Sequence, residues 1–436
     1  MRSLTSAASA PDDVVSAVDV LREARDRTLS LVDRVSDDAL TRVHSPLMSP
    51  LVWDLGHIAA FEDLWMSHRY GERPLLRAEL VDVYDALETP RAHRGDLPFL
   101  GPDAAREYMH EVRARTIDVL HDLGTGDGTL VELVIRHEHQ HNETMLQTLE
   151  LAHLDGYEVP QAMLPEPETS VSVLTGLEMV EIAAGPCTIG AGSDGFAYDN
   201  ERPLHRTDIR GYLIGHMPIT NASYLTFVEG GGYQRREWWS DEGWAWKEQY
   251  DITRPSGWTE DGGAQWRLTG LEPLHPNHPV VHVSWFEADA FARAHGVRLP
   301  SEAEWEKAAT WDQERDEARP APWGSGSPVP GVHANVDQLG FGTSPVDAHP
   351  KGASPSGCLG MLGNVWEWTA ASFEAYPGFA AYPYREYSEP FFGGDFRVLR
   401  GGSWATRART VTATFRNWDH PQRRQIFAGF RVARDA

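Results

Sequence analysis

Cysteine is scarce in this chain of 436 residues, which contains only Cys187 and Cys358. Two cysteines cannot build a disulfide framework, so the composition favours a reducing compartment, and it argues against a thiolate-rich metal site. Long hydrophobic runs are also missing. No stretch approaches the roughly 20 apolar residues of a membrane span, and Met1 to Pro11 lack the apolar core of a signal peptide. We therefore expect a cytoplasmic protein that does not interact with a membrane.

Positive charge is in short supply as well. The chain has 39 Lys and Arg residues against 64 Asp and Glu residues, and its formal net charge is −25. Nucleic-acid binding requires a basic surface that neutralises phosphates, so this balance argues against nucleic acid as a partner. The acidic excess favours solubility but indicates no particular partner, and a monomer is the simplest expectation.

Tryptophan and glycine divide the chain into two parts of different character. Of the 16 tryptophans only Trp53 and Trp65 precede residue 170, and of the 39 glycines only 8 do. A Pro-rich joint, Pro160 to Pro167, lies just before this change in composition. The sequence therefore predicts two domains, residues 1–160 and residues 173–436.

Hydrophobic spacing predicts helices in the first part. They are Asp12 to Val35, Pro50 to Tyr70, Asp103 to Leu123 and Thr129 to Leu154. Four helices suggest a bundle, in which metal sites are built from side chains that face the core. The second part is rich in Gly, Trp and turn signals, which predicts an irregular, loop-rich α/β domain. Its two predicted helices are Trp285 to His295 and Ser301 to Thr310, where Ser301 and Glu304 form a capping-box pattern. The expected fold class is α+β.

The segment His137-Glu138-His139-Gln140-His141 carries the strongest chemical signal in the chain. His137 and His141 are four residues apart on a predicted helix, so both imidazoles face the same way and can bind one metal ion. His139 points to another face, where we expect a surface residue or a residue behind a ligand. His57 lies among apolar neighbours on the second predicted helix and needs a partner for its ring nitrogens, so it is the expected third ligand.

The same letters match the zinc-peptidase pattern H-E-x-x-H, with Glu138 as the general base. A peptidase would take its third ligand from a His in a G-x-x-H extension or from a helical Glu about 20 residues further on. This chain has Asn142 to Thr144 at the first place and Pro160-Gln161 at the second. A zinc hydrolase is therefore the weaker alternative.

Three neutral imidazole nitrogens on one face of a metal ion leave three positions open. This arrangement is the all-histidine relative of the 2-His-1-carboxylate set of iron(II) oxygenases. Because it lacks the carboxylate, the centre is more positive and suits an anionic ligand such as a thiolate, with O2 at another open position. The type of ligand alone does not distinguish iron from zinc or copper in such a site.

Seven motifs give the chain a resemblance to the sulfoxide synthases of ergothioneine biosynthesis along nearly its whole length. They are Ser49 to His57, His137 to Thr144, Asp199 to Pro203, Arg298 to Glu306, Gly363 to Trp368, Leu399 to Trp404 and Phe415 to His420. The first part resembles the DinB-like four-helix bundle of these enzymes. The second resembles their formylglycine-generating-enzyme-like domain, which is C-type-lectin-like. Only the combination with the His-bearing bundle is specific to the sulfoxide synthases.

The resemblance implies an oxidoreductase that uses Fe(II), held by His57, His137 and His141, together with O2. Such an enzyme couples a thiol to C2 of the imidazole of hercynine (Nα-trimethylhistidine) and oxidises the sulfur to a sulfoxide. The loop that carries Arg91 and Arg94 matches the type that uses γ-glutamylcysteine rather than free cysteine.

The resemblance also assigns the contacts to both substrates. The positions that match are Arg91, Arg94, Asp419 and Arg423 for γ-glutamylcysteine, and Gln140, Tyr387, Asn417 and Trp418 for hercynine. Paired guanidinium groups can form bidentate hydrogen bonds with carboxylates, and an aromatic face attracts a quaternary ammonium. Tyr384 matches the catalytic tyrosine of the family, and a phenol there can donate a proton during turnover.

Three other functions fit parts of the pattern. An ovothiol-type 5-histidylcysteine sulfoxide synthase carries a further methyltransferase domain, which we do not expect in a chain that ends at Ala436. Oxidation of a sulfatase cysteine needs a reactive cysteine pair late in the second domain, and neither Cys187 nor Cys358 lies there. A lectin-like binding module would not explain the three histidines.

Overall fold

The computed structural model describes residues 11–160 and 172–436. They fall into two compact units that divide after Pro160. No helix within these ranges is long and apolar enough to cross a membrane. The predicted α+β class agrees with a helical first unit and a second unit of short helices and strands.

The first unit is a bundle of four long helices with one short helix between the first two. Its α-helices are α1 (Pro11–Val32), α2 (Asp37–Thr41), α3 (Leu51–Glu62), α4 (Pro102–Leu123) and α5 (Thr129–Ala152). A π-helix, Asp63–Tyr70, continues α3, so the second predicted helix changes its hydrogen-bond pattern halfway. The four long helices confirm the prediction from hydrophobic spacing. Helix α2, five residues long and capped by Ser36, is too short for that spacing to reveal.

Apolar side chains at helical spacing hold the bundle together. Val14, Val18 and Leu21 form one stripe of α1 and pack in the same buried cluster as Leu120 of α4 and Ile135 of α5. Helix α3 is buried on nearly every side, because each residue from Leu51 to Ala59 is buried. Polar groups on α3 must therefore find partners inside the bundle.

The second unit contains short helices and five small sheets. The helices are α6 (Asn221–Glu229), α7 (Asp241–Gln249), α8 (Trp285–Ala294) and α9 (Glu302–Thr310). The strands are β1 (Met179–Ile182), β2 (Gly185–Ile189), β3 (His205–Ile209), β4 (Tyr212–Gly215), β5 (Ala264–Arg267), β6 (Gly270–Pro273), β7 (Trp311–Asp312), β8 (Glu317–Ala318), β9 (Trp366–Ser372), β10 (Arg397–Arg400), β11 (Arg416–Asp419), β12 (Ala428–Gly429) and β13 (Ala433–Asp435). Helices α8 and α9 confirm the two predicted helices, and Ser301 and Glu304 form the predicted capping box.

The largest sheet has four strands in the order β11-β10-β9-β12, with β12 parallel to β9 and the other pairs antiparallel. Strand β11, at one edge, carries the predicted hercynine contacts Asn417 and Trp418. The first residue of this strand, Arg416, donates hydrogen bonds to Glu302 at 2.6 Å and to the carbonyl oxygen of Asn200 at 2.7 Å, and these bonds hold the strand in place. A three-stranded sheet, in the order β1-β4-β13, and three two-stranded sheets complete the unit.

Candidate metal centre

Three histidines of the first unit meet in a cluster. His57 of α3 and His137 and His141 of α5 each bring one ring nitrogen to within 4.8 Å of the others. The Nε2 atoms of His57 and His137 are 3.2 Å apart, and the ring of His141 lies with its centroid 4.6 Å from each of the other two. The structure thus brings together the i, i+4 pair and the third imidazole that the sequence predicted.

The outer ring nitrogens of two of these histidines have fixed partners. The Nδ1 atom of His57 lies 2.7 Å from the carbonyl oxygen of Tyr84, and that of His141 lies 3.0 Å from Oδ1 of Asp54. When Nδ1 donates to an oxygen, the neutral ring keeps its lone pair on Nε2, which is then available to a metal ion. Asp54 is fully buried and precedes His57 by three residues on α3, so one helix supplies both a ligand and an orienting group.

Aromatic rings cover two of the imidazoles, and the same two imidazoles are kept neutral by burial. Phe61 stacks on His137 with ring centroids 3.6 Å apart, and Trp53 stacks on His57 at 4.8 Å. Burial, with a smaller contribution from neighbouring imidazoles, lowers the pKa of His57 and His137 well below the ordinary value. Neutral imidazole is the metal-binding form, so this donor set fits a divalent metal ion with open coordination positions.

Glu138, next to His137, belongs to a different group of side chains. It joins Arg25, Glu62 and Arg113 in a buried cluster of four charges, one from each long helix, which we call the ion quartet. Arg25 donates to Glu138 and to Glu62 at 2.8 Å each, and Arg113 donates to each of the same two carboxylates at 2.7 Å. Thr28 adds a hydrogen bond of 2.8 Å to Glu138.

The ion quartet argues against the zinc-hydrolase alternative. Burial alone would raise the pKa of Glu138, but Arg25 and Arg113 lower it to about 2. Both carboxylate oxygens of Glu138 already accept hydrogen bonds from cationic side chains, and a general base needs a free oxygen and a pKa closer to the working pH. His139 is also buried, so the expectation that it could be a surface residue is wrong.

The predicted arginine loop lies in the same unit, as a 3₁₀-helix over Arg91–Asp96. Arg94 is buried and donates to the carbonyl oxygens of Thr89 and Ala86, at 2.9 and 3.1 Å, and to Oγ of Ser49 at 2.8 Å. Its guanidinium group lies 3.8 Å above the ring of Trp53. Burial and the nearby charge of Arg91 lower the pKa of Arg94 to about 10, which still leaves it charged at neutral pH. Arg91 is only half-buried.

The remaining predicted contacts are divided between the units. Gln140 lies half-buried on α5. In the second unit Tyr387 meets Trp418 edge to face at 5.8 Å, and Tyr384 lies 6.2 Å from Tyr387 by ring centroids. The Oδ1 atom of Asn417 accepts a hydrogen bond of 2.9 Å from the backbone N–H of Trp418.

Asp419 and Arg423 lie close together in the second unit. The Nε atom of Arg423 is 3.5 Å from Oδ1 of Asp419, which places the two predicted γ-glutamylcysteine contacts side by side. The same carboxylate accepts a hydrogen bond of 2.8 Å from the backbone N–H of His420. The carboxylate is thus oriented by its own loop.

Sequence reasoning missed the groups that hold the histidines in place. Asp54 could have been found, since it lies three residues before His57 in the motif Trp53-Asp54-Leu55-Gly56-His57, and this spacing puts both on one helix face. The carbonyl oxygen of Tyr84 gives no such signal, because any residue could supply it. Gly56 is a sequence feature that is related to the position of Tyr84. A Cβ atom at residue 56 would lie 2.1 Å from Cζ of Tyr84 and would clash with its ring.

Comparison with known proteins agrees with the two-part organisation. Residues 21–145 match the DinB superfamily, and residues 165–436 match the sulfatase-modifying factor enzyme 1-like domain. The chain is 44% identical over 425 residues to the "Hercynine oxygenase" of Mycolicibacterium thermoresistibile, covering 95% of this chain and 94% of that protein. It is 43% identical to the "Hercynine oxygenase" of Mycobacterium tuberculosis, covering 95% of this chain and 97% of that protein. The "Formylglycine-generating enzyme" of Streptomyces coelicolor is 30% identical, over 59% of this chain and 89% of its own.

Proposed function

The chain belongs to the hercynine oxygenase family, in which a DinB-like helical domain precedes a sulfatase-modifying-factor-like domain, and we propose that it couples γ-glutamylcysteine to hercynine in an iron(II)- and O2-dependent reaction. The observation that carries the proposal is the cluster of His57, His137 and His141. The reaction joins the cysteine sulfur to C2 of the imidazole ring, and the product is γ-glutamyl-hercynylcysteine sulfoxide, an intermediate of ergothioneine biosynthesis.

The proposed reaction uses one O2 for two oxidations. The thiol S–H and imidazole C2–H bonds break, a C–S bond forms, one oxygen atom becomes the sulfoxide oxygen, and the other leaves as water with the two hydrogens. The four electrons that O2 accepts come from C–S bond formation and from oxidation of the sulfur. A thiol that reacts with O2 alone instead takes up both oxygen atoms and becomes a sulfinic acid.

The histidines would hold iron(II), which supplies open positions for the thiolate sulfur and for O2. Asp54 and the carbonyl oxygen of Tyr84 keep two of the imidazoles in the tautomer that points Nε2 at the cluster. Phe61 and Trp53 cover imidazole faces and exclude water from that side. The first unit therefore supplies a neutral, preoriented set of three nitrogens.

Charged side chains would bind the dipeptide. Arg91 and Arg94 are the proposed partners of its carboxylates, and Asp419 with Arg423 would bind its amino group and remaining carboxylate oxygens. For hercynine, the rings of Tyr387 and Trp418 offer aromatic surface to the trimethylammonium group. The amides of Gln140 and Asn417 are the proposed polar contacts to the same substrate.

Tyr384 is the proposed proton donor. Burial, with nearby Tyr198 and Asp199, raises its pKa above the ordinary value, so the phenol keeps its proton at neutral pH. A protonated phenol can deliver that proton when O2 is reduced, which would direct the reaction toward C–S coupling.

Anaerobic loading with iron(II), followed by O2, hercynine and either γ-glutamylcysteine or cysteine, tests the proposal. We expect a sulfoxide linked at C2 by mass and NMR analysis, formed faster with the dipeptide. His57→Ala, His137→Ala and His141→Ala should each lose both iron and turnover. A product linked at C5 would support the ovothiol-type alternative, and full iron retention by His57→Ala would show that the three-histidine assignment is wrong.

A further inference from the structure

The loop that carries the tyrosines is tied to a short segment far away in the sequence. Ser388, fully buried at the end of this loop, donates a hydrogen bond of 2.5 Å to Oδ1 of Asp199 and accepts one of 2.9 Å from Nδ2 of Asn200. The backbone N–H of Tyr382, at the start of the loop, lies 3.4 Å from Oδ2 of the same aspartate. A single carboxylate therefore holds both ends of the loop.

A ring contact reinforces these hydrogen bonds. Tyr198 stacks on Tyr387 with ring centroids 4.5 Å apart and an interplanar angle of 11°. The segment Tyr198–Asn200 thus contacts the loop through three consecutive side chains: a ring, a carboxylate and an amide. Asn200 is itself fixed, because Arg416 donates to its carbonyl oxygen at 2.7 Å.

The loop also has contacts at exposed positions. The ion pair between Arg385 and Glu389, at 3.2 Å, joins two exposed side chains, and such pairs contribute little to stability. Tyr382 is 46% exposed. In contrast, the hydroxyl of Ser388 acts as donor and acceptor at once in a buried place, which fixes its orientation. The buried hydrogen bonds at Asp199 and Asn200 therefore restrain the loop near both of its ends.

We propose that Tyr198, Asp199 and Asn200 form a clamp that positions Tyr384 and Tyr387 for the coupling reaction. The proposal rests on the function proposed above, and it assigns a role to the motif Asp199 to Pro203, which that function leaves without one. Asp199 has a second effect in the same place: its carboxylate is one of the charges that keep the Tyr384 phenol protonated. The three residues are positioning residues, and they act through the tyrosines.

The experiment compares the ratio of sulfoxide to sulfinic acid in clamp variants. Ser388→Ala removes the hydroxyl that links Asp199 to Asn200, and Tyr198→Leu removes the stacked ring. Because a displacement of about 1 Å in a reacting group can lower a rate on the order of 100-fold, we expect the ratio to fall 10- to 100-fold in both. The KM for each substrate should change less than the ratio, and iron content should stay as in the wild type.

Two controls separate positioning from general loss of structure. Tyr198→Phe keeps the stacked ring and should restore the wild-type ratio. Ser356→Ala removes a hydrogen bond of 2.8 Å to the carbonyl oxygen of Ala308, in the same unit but outside the clamp and the tyrosine loop, and should leave the ratio unchanged. A lowered ratio in Ser356→Ala would mean that any disturbance of the second unit suffices, and it would overturn the clamp.

Tyr384→Phe distinguishes failure of the clamp from failure of the proposed function. If Tyr384→Phe lowers the ratio but Ser388→Ala and Tyr198→Leu do not, the tyrosines are positioned by other contacts and the clamp is wrong. If Tyr384→Phe itself leaves the ratio unchanged, the proposed proton donor is wrong, and the clamp falls with it. If either clamp variant fails to fold, the other gives the answer.

Discussion

A single carboxylate, Asp54, lies 3.0 Å from Nδ1 of the proposed ligand His141 and orients its ring. Carboxylate groups behind metal-bound histidines typically contribute 10- to 100-fold in metal affinity. We therefore expect Asp54→Asn to weaken iron(II) or cobalt(II) binding by roughly that factor, because the amide can present its N–H to Nδ1 and favour the wrong tautomer. Anaerobic titration, followed in the cobalt spectrum, measures the change.

The matched control for Asp54 is Asp63→Asn. Asp63 is also fully buried in the first unit, but it accepts a hydrogen bond of 2.7 Å from the backbone N–H of Leu76 and is not part of the histidine cluster. It should lose stability without losing metal affinity. Equal losses of affinity in the two variants would show that burial of a carboxylate, rather than its contact with His141, explains the effect.

Replacing either arginine of the substrate loop by alanine should lower catalytic efficiency, but only the change at Arg94 should also lower stability. Charge-assisted hydrogen bonds are worth roughly 1.5–3 kcal/mol, so Arg91→Ala should lower kcat/KM for γ-glutamylcysteine on the order of 10- to 100-fold, and much less for cysteine. Arg94→Ala should do the same and also lower the melting temperature, because Arg94 holds two backbone carbonyls and Ser49. Thermal unfolding and kinetics with both thiols measure this.

Several outcomes would contradict the assignment of these arginines. Equal losses with both thiols would show that neither arginine binds the γ-glutamyl part. Wild-type kinetics in Arg94→Ala, together with a lower melting temperature, would show that Arg94 only supports the loop behind Trp53 and His57.

The residues of the candidate metal centre differ in how readily their roles could be predicted from the sequence. His137 and His141 could be predicted because a fixed spacing on one helix determines their relative position. His57 could be predicted from its apolar context together with the pair on α5, and the family resemblance agrees with that prediction. The position of the Tyr84 carbonyl oxygen, the partner of His57, depends on how a loop between Tyr70 and Pro102 folds back on α3, and no local pattern describes that path.

At the scale of helices, the ion quartet links all four long helices at one depth in the bundle. Removing one partner of a buried ion pair leaves the other charge buried without compensation, which lowers stability by about 3–5 kcal/mol. We expect Glu138→Gln to lower the free energy of unfolding by an amount of this order and to keep iron and sulfoxide synthesis below its melting temperature. Chemical denaturation and the coupling assay measure the two effects separately.

A matched variant tests the same helix contact from the other side. Glu62→Gln removes the second carboxylate of the quartet and should lower stability by a similar amount, since Arg25 and Arg113 donate to both carboxylates. Complete loss of turnover in folded Glu138→Gln, with normal turnover in Glu62→Gln, would restore Glu138 as a catalytic base. Peptide hydrolysis by the zinc-loaded wild type would support the same reading.

Helices could be predicted from the sequence where they were long enough to repeat their apolar pattern over several turns. The four long helices run for three turns or more, so their apolar stripes are clear, and the capping box at Ser301 marks the start of α9. Helices α6 and α7 have nine residues each, as α9 does, but they were not predicted, because the residues three positions after their N-caps are Ser223 and Gly243 and no capping-box Glu marks their start. Some strands of the second unit, such as β9 and β12, pair across long sequence distances, and this leaves no local signal. Strands β5 and β6, and β7 and β8, pair with their neighbours in the sequence but are only two to four residues long.

For the molecule as a whole, the proposed chemistry is divided between two units. The proposed iron ligands and the paired arginines belong to the first unit, whereas the proposed proton donor and most of the proposed hercynine contacts belong to the second. Under the proposed function, iron binding therefore requires groups of the first unit, and C–S coupling also requires groups of the second. This division predicts that a change confined to the second unit can alter the product without removing the metal.

Tyr384→Phe tests this division directly. The change keeps the ring volume and removes only the hydroxyl, so iron and both substrates should still bind. General acid catalysis typically contributes 100- to 10,000-fold, so coupling should fall by about 100-fold or more, and the thiol should instead be oxidised to the sulfinic acid. Both products are measured by mass in one reaction. If both fall together, Tyr384 positions substrate and does not donate the proton; if neither changes, the donor is Tyr382 or Tyr387.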